Sequence, residues 1–440
     1  MSLDEVAKST PDDPQAAFQK LRAVMGFPSD LVSADDWSRA FSLFKEIGSA
    51  LGDESDLGAA LERGASDSSD PQVLFDIGYE LIEQRLYGIA ASVLSRADEA
   101  SPGNPVIVDE LVCAFEHTML NAEACRVLRA YPELTATPTV SRYLLAFHSM
   151  MTGDVETARE LYPALLESGD DTLIHMGGGI AAMVGRADAL AGVCALDDRD
   201  LRGWHFVLNG ALLLHISPHG LDEPMRGRYA WIQDSNEAIQ EGIRKVEATL
   251  GALGQAPERV FALADRGSQI LAHATASIMG IPVVDWPPGD EGSDQPGLIA
   301  VYDLEDLDGD TLVSIADHRP GQVLWAHGAT WTQDPPFCPD LVTMLFQTNN
   351  PPWGERMGYD ADAKRDTTTP PSTASVEELA HQIVSATAGD ARLADAVVVT
   401  DLAALLKNAV GATDLVGALR GEGRRRRQWL GSPVPSARFT

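Results

Sequence analysis

"RVFALADRGSQILAHATASIMGIPVVDW" (residues 259–286) decides the fold of the second half of the chain. A short apolar run, "RVFALAD", is followed by a helical stretch, "SQILAHATASIMG", and by a second apolar run, "IPVVDW". The alternation continues through "LIAVYDL" (298–304), the helical "DTLVSIADHRPG" (310–321) and "QVLWAHG" (322–328), with "PPGDEGSDQPG" (287–297) as a loop. Strands of this length alternating with helices predict a parallel sheet covered on both faces. Upstream, "SPHGLDEPMRGRYAW" (217–231) reads as irregular. "DSNEAIQEGIRKVEATLGAL" (234–253) reads as a helix, with Ala238, Ile239, Ile243, Val246 and Leu250 on one face. Downstream, the Pro- and Asn-rich residues 332–372 read as irregular. Helical periodicity returns at "VEELAHQIV" (376–384) and "DLAALLKNAVGATDLVGAL" (401–419), and "GEGRRRRQWLGSPVPSARFT" (421–440) ends the chain as a basic block and an extended Pro/Ser segment.

The first half differs in kind. Residues 1–66 read as helices, with Phe18, Leu21, Val24 and Met25 on one face and Trp37, Phe41, Phe44 and Ile47 on another. "SDSSDPQ" (66–72) breaks the pattern, with a proline suited to a helix start. From Pro71, the stretch 71–102 places Leu74, Ile77, Gly78, Leu81, Ala90, Leu94, Ala97 and Pro102 at positions 4, 7, 8, 11, 20, 24, 27 and 32 of a unit. That spacing resembles the tetratricopeptide repeat, a helix–turn–helix unit of roughly 34 residues. Weaker units follow near 104, near 139 and near 171, and "MTGDVETAR" and "MVGRADALA" read as the same turn, with Gly153 and Gly185 in matching roles. "GWHFVLNGALLLH" (203–215) reads as a terminal helix closing the array. The resemblance implies an α-solenoid over 70–216 that stacks into one core and holds a protein or peptide partner on its surface.

Charge narrows the partners. The 440-residue chain carries 65 Asp+Glu against 33 Lys+Arg, a net −32, which repels nucleic-acid phosphates and anionic membranes. Arg424–Arg427 stands out as a basic run that can dock on the chain's own acidic surface or bind an acidic partner. The four cysteines form no close pair and the first residues are polar, so the expectation is a soluble cytoplasmic protein with free thiols.

"IAVYDLEDLDGDTL" (299–312) is the stretch with chemistry to offer. As a calcium loop with Gly309 at the turn it lacks two ligands, because Leu304 and Ile315 stand at the first and twelfth positions. A loop that follows a parallel strand and opens a helix is instead suited to an anion. Asp303, Gly309 and Thr311 fall in the order and spacing of the sugar-phosphate loop of phosphoribosyltransferases. "FALADRGSQILAHATASIMGIPVV" resembles that family's pyrophosphate loop, with Arg266 and Gly267 in the turn. The resemblance spans about 225–350. It implies a phosphoribosyltransferase-like domain (225–360), with helices and a basic tail (372–440) after it, and a pocket for a small anionic or sugar-phosphate ligand formed by Arg266, Gly267, Asp303, Asp306, Gly309 and Thr311. Two departures stand out: Leu304 replaces the second acid, and Asp308 stands where the family has its first threonine. Like charges about 4 Å apart cost several kcal/mol at intermediate dielectric, so acids here oppose a phosphate dianion.

Trp325, His327 and Trp331 are candidate walls of a pocket at the sheet's C-terminal edge. His215 and His219 have metal-like spacing, but Pro218 separates them, and they read as loop histidines with no metal site. The functional expectation is a non-catalytic scaffold or protein-binding protein without a cofactor. The rival is a Mg²⁺-dependent enzyme on a phosphorylated sugar or nucleotide, with Asp303 and Asp306 on the ribose or the metal.

Overall fold

The computed structural model describes residues 2–52, 55–218, 225–333, 335–360, 364–387, 398–404 and 423–436. The chain divides into two compact units, Met1–Ala181 and Ala182–Thr440.

The first unit is helical: α1 (Leu3–Ser9), α2 (Pro14–Met25), α3 (Ala34–Leu51), α4 (Leu57–Ser66), α5 (Pro71–Glu83), α6 (Tyr87–Ala100), α7 (Pro105–His117), α8 (Asn121–Ala130), α9 (Pro132–Thr135), α10 (Val140–Met151), α11 (Val155–Leu166) and the start of α12 (Asp171–Ala189). Local signals set the helix starts. Asp70 and Asn104 accept amide hydrogens of the first turn, each before a proline that needs no partner for a missing N–H. The faces read from sequence are the buried ones: Trp37, Phe41, Phe44 and Ile47 of α3 join Leu74, Ile77, Leu81, Ala90, Leu94 and Ala97 in one core. Helices α5 and α6 meet at a close approach, since a methyl group on Gly78 would lie 2.5 Å from Leu94 Cγ.

Two expectations fail beyond the end of this unit. Gly185 makes no turn; α12 runs unbroken from Asp171 to Ala189. A glycine inside a helix costs only about 1 kcal/mol, which neighbouring residues can absorb. Nor does 203–215 close a helical array. Helix α13 (Leu201–Asn209) ends on Gly210 in the left-handed conformation, and the chain then enters strand β1 (Leu212–Leu213) of the second unit's sheet.

That sheet is parallel. Its other strands are β2 (Tyr229–Gln233), β3 (Val260–Ala262), β4 (Val283–Asp285), β5 (Gly297–Asp303), β7 (Gln322–Thr330) and β8 (Leu341–Asn350). Their order is β4-β3-β5-β7-β8, and β1 and β2 lie one after the other along the outer side of β8. Helices α14 (Asn236–Leu253), α15 (Arg266–Met279), the short α16 (Gly309–Ser314) and α17 (Val376–Ser385) complete the α/β arrangement. Strand β6 (Asp317–His318) cuts short the helix read over 310–321 and pairs with β11 (Gly423–Arg424), and β9 (Arg356–Asp360) pairs with β10 (Arg365–Thr369). Residues 332–372 are therefore not irregular: they hold β8 and this hairpin. Most of the helix read over 401–419 lies outside the described residues; 401–404 are helical.

Helix α14 buries more than its apolar face. Lys245 and Glu241 form an ion pair at 2.7 Å with side chains almost wholly enclosed, and His215 Nδ1 lies 3.2 Å from Lys245 Nζ. His215 also bonds the Tyr229 hydroxyl, and His219 is outside the described residues.

The packing at Gly78 gives a direct check. Gly78→Ala gains helix propensity of about 1 kcal/mol but forces Leu94 aside, at a cost of roughly 1–3 kcal/mol. We expect a net loss of up to about 2 kcal/mol in urea unfolding of the full chain. A raised midpoint contradicts the close approach of α5 and α6.

Candidate functional site

Strand β3 is followed by β4 on one side and flanked by β5 on the other. Ligands of open parallel sheets bind outside the strand C-termini at such a reversal. Here that place lies at the ends of β3 and β5. The chain leaves β3 through Leu263–Asp265 into α15, whose N-cap, Asp265, accepts from the Ser268 amide at 2.7 Å. Gly267 lies in the first turn of α15, where a Cβ would come within 3.1 Å of Tyr302 Cβ. The Ser268 hydroxyl accepts from the Tyr302 amide, fastening the helix start to β5.

Strand β5 ends at Asp303, whose carboxylate accepts from the Glu305 amide across a single 3-10 turn (Leu304–Asp306). Burial pushes the Asp303 carboxyl up to about 7, with Asp306, Glu305 and Asp265 adding repulsion. Asp306 is raised by burial and by Asp265, and Glu305 by burial and by Asp306. Asp265 is raised too, again chiefly by burial. The structure thus brings together Asp303 and Asp306, and adds Asp265 and Glu305. Asp265 was legible only as the residue before Arg266-Gly267; nothing in its spacing marked it as a neighbour of Asp303.

The remaining candidates are engaged elsewhere. Arg266 Nη2 donates to the carbonyls of Ser372 and Ala374, at 2.9 and 2.8 Å, just before α17. Leu304 packs in a core with Phe261, Leu263, Ile299 and Trp286. Asp308 caps α16: one carboxylate oxygen accepts from the Thr311 amide at 2.8 Å and the other from the Thr311 hydroxyl at 3.0 Å. These bonds hold the Asp308 carboxyl below its usual range. Gly309 begins the same six-residue helix and faces open space where a Cβ would be.

Of the aromatic candidates, Trp325 and His327 pack inside the sheet, and Trp331 borders a small cavity beside residues 428–432. Trp325, His327 and Trp331 are all almost fully buried. Trp325 Nε1 donates to Thr343 Oγ1, and Trp331 Nε1 donates to the Tyr229 carbonyl. His327 Nε2 lies 3.0 Å from Asp234 Oδ2, which also accepts from the Tyr302 hydroxyl at 2.9 Å. Asn349 Nδ2 donates to the Tyr302 hydroxyl, and the Ser235 amide donates to Asp234 Oδ1. Burial and the Asp234 charge push the Tyr302 hydroxyl well above its ordinary pKa. The sequence offered no sign of this network: its members come from β2, β5, β7 and β8, and sequence spacing carries no trace of cross-strand register. Among the described residues no group of three His, Cys, Asp or Glu is placed to hold a metal ion, and no helix is long and apolar enough to cross a membrane.

No family model matches this sequence. No curated protein matches it. Among solved structures, a purine phosphoribosyltransferase from Pyrococcus horikoshii Ot3 aligns over 28% of this chain and 93% of its own length, at 17% identity. The TM-score is 0.22, too low to assign a fold. What the chain itself shows is a helical region and a parallel-sheet unit.

The Asp303 carboxyl yields a prediction with a definite sign. Its folded pKa of about 7 lies above the ordinary 3.8, so the folded state holds this proton more tightly than the unfolded chain. The stability it contributes is complete at acid pH and is lost as pH rises through about 7. Asp303→Asn keeps an acceptor for the Glu305 amide and does not titrate. Thermal unfolding should show the variant gaining on the native chain between pH 4 and 8, with little difference at pH 4. A constant offset across that range would show that Asp303 is ionised throughout.

Proposed function

We propose that this chain is a non-catalytic, protein-binding protein whose α/β unit keeps the outline of a sugar-phosphate site without its binding capacity. One observation carries this reading: the Asp308 carboxylate occupies both the amide and the hydroxyl of Thr311. Those are groups that a phosphate would use at the corresponding turn. A free carboxylate at millimolar concentration is outcompeted easily, but a covalently attached one has a high effective concentration and adds its own repulsion. Support also comes from Leu304, which faces the core, and from Arg266, which is committed to two carbonyls. The carboxylates beside Asp303 make the crevice still less hospitable to an anion.

The helical unit supplies the binding surface in this reading. Its support is the helix pairs from α5 to α11, the glycine-mediated approach of α5 and α6, and the sequence spacing of tetratricopeptide repeats over 71–102. The unbroken α12 limits such an array to the units before it.

Calorimetry of the full chain with phosphoribosyl pyrophosphate and Mg²⁺ tests the proposal. We expect no binding tighter than about 1 mM. Micromolar binding that Asp303→Ala abolishes would establish the enzyme-like alternative instead.

A further inference from the structure

The basic run near the C-terminus has a place in the fold that the proposed function does not use. Residues 423–436 cross the second unit as an extended strap. Gly423 and Arg424 pair with β6, and the Arg425 amide donates to the Ala316 carbonyl at 2.7 Å. The Arg425 guanidinium is enclosed. It donates to the carbonyls of Ile315 and Asp317, at 3.0 and 2.8 Å, and to Asp340 Oδ2 at 2.9 Å, with both charged side chains fully buried. Three residues on, buried Gln428 donates to the Thr330 carbonyl at 3.0 Å. The Trp429 amide then donates to Asn209 Oδ1 at 2.7 Å, and Val434 is buried at the far end.

Two features set this segment apart from an ordinary core strand. Only Arg425, Gln428 and Val434 are buried along it, while Arg424, Arg426 and Arg427 are exposed. Two of the three anchors are polar and are read by fixed acceptors, the pattern of an extended peptide held by main-chain bonds with side chains in pockets. Second, a cavity remains between residues 428–432 of the strap and a wall that includes His205, Asn209, Arg228 and Trp331. That space is the size of about one water molecule, so the side chains of the strap do not seal the groove completely.

We infer that this groove is a peptide-binding site, and that residues 423–436 are its tethered ligand. The ligand class is an extended basic peptide with arginine at the first anchor and glutamine three residues later. Arginine suits the first pocket because its planar group can bond two carbonyls and a carboxylate together, which the single ammonium of a lysine does poorly. The acidic chain, at −32, also favours the approach of such a peptide.

The test uses the full-length chain and a fluorescent peptide of residues 423–436. In the native chain the tethered segment, at an effective concentration in the millimolar range, should exclude the peptide. In Arg425→Ala the tethered segment loses its anchor, and the peptide should bind at least tenfold more tightly than to the native chain. A peptide carrying Arg425→Ala should bind neither, and Arg425→Ala/Asp340→Asn should lose the gain. Should Arg425→Ala unfold, restoration of its thermal transition by the native peptide supports the proposal equally. A folded Arg425→Ala chain that ignores the peptide overturns it. So does an unfolded one that the peptide cannot restore, since Arg425 would then be a staple of the fold alone.

Discussion

The Asp234 carboxylate is the constraint on which the C-terminal edge of the sheet depends. A buried ionised carboxylate is tolerated only when its oxygens are met by donors or cations. Ser235 meets one oxygen, and Tyr302 and His327 converge on the other. Those partners lie at the start of α14, on β5 and on β7, and Asn349 of β8 joins through the Tyr302 hydroxyl. One charge therefore fixes the relative positions of the strand ends that would frame a ligand crevice. Tyr302 also carries the close contact with Gly267 and the bond to Ser268, so the same network sets the start of α15.

In the proposed reading, those fixed ends leave the loops beyond them little freedom to act as a phosphate cradle. Asp303 follows Tyr302 directly and is held where burial and three neighbouring acids disfavour its charge. Leu304 turns inward to the core, which draws the chain down before the next turn begins. Asp308 then closes the turn on itself. A cap of this kind stabilises a helix start by about 1 kcal/mol, and the same bonds block an anion from the amide it satisfies. In the proposed reading, one side chain supplies both the cap and the exclusion of an anion.

The sequence made periodic features plain and long-range ones invisible. The strands β3, β4, β5 and β7 were legible because apolar runs alternate with helices, and α3, α5 and α14 because their apolar residues recur on one face. Strand β8 was not. Prolines on both sides, in "DPPFCP" and "NNPPWG", give it the punctuation of a loop, although six of its ten residues are buried. The turn at Gly210 was equally open to misreading: Asn-Gly after an apolar run ends a helix as readily as it interrupts one. At the end of β5, the closeness of Asp303 and Asp306 was legible from their order along the chain. Asp265 and Asp234 were not, because only strand order brings them close.

The two arginine placements show why residue type alone does not place a charge. Arg266 stands in a turn that invites an anion, yet its guanidinium serves two carbonyls near α17. Arg425 belongs to a run read as able to dock on the chain's own acidic surface or to bind an acidic partner, and it is the enclosed member, paired with Asp340. The difference lies in available acceptors. Carbonyls left over at the end of α16 and the start of β6, beside a buried carboxylate, form a pocket that needs a planar donor, and only one arginine of the four faces it. Its exposed neighbours keep the basic character that drew attention to the segment, with the Arg427 guanidinium lying over the Trp429 ring.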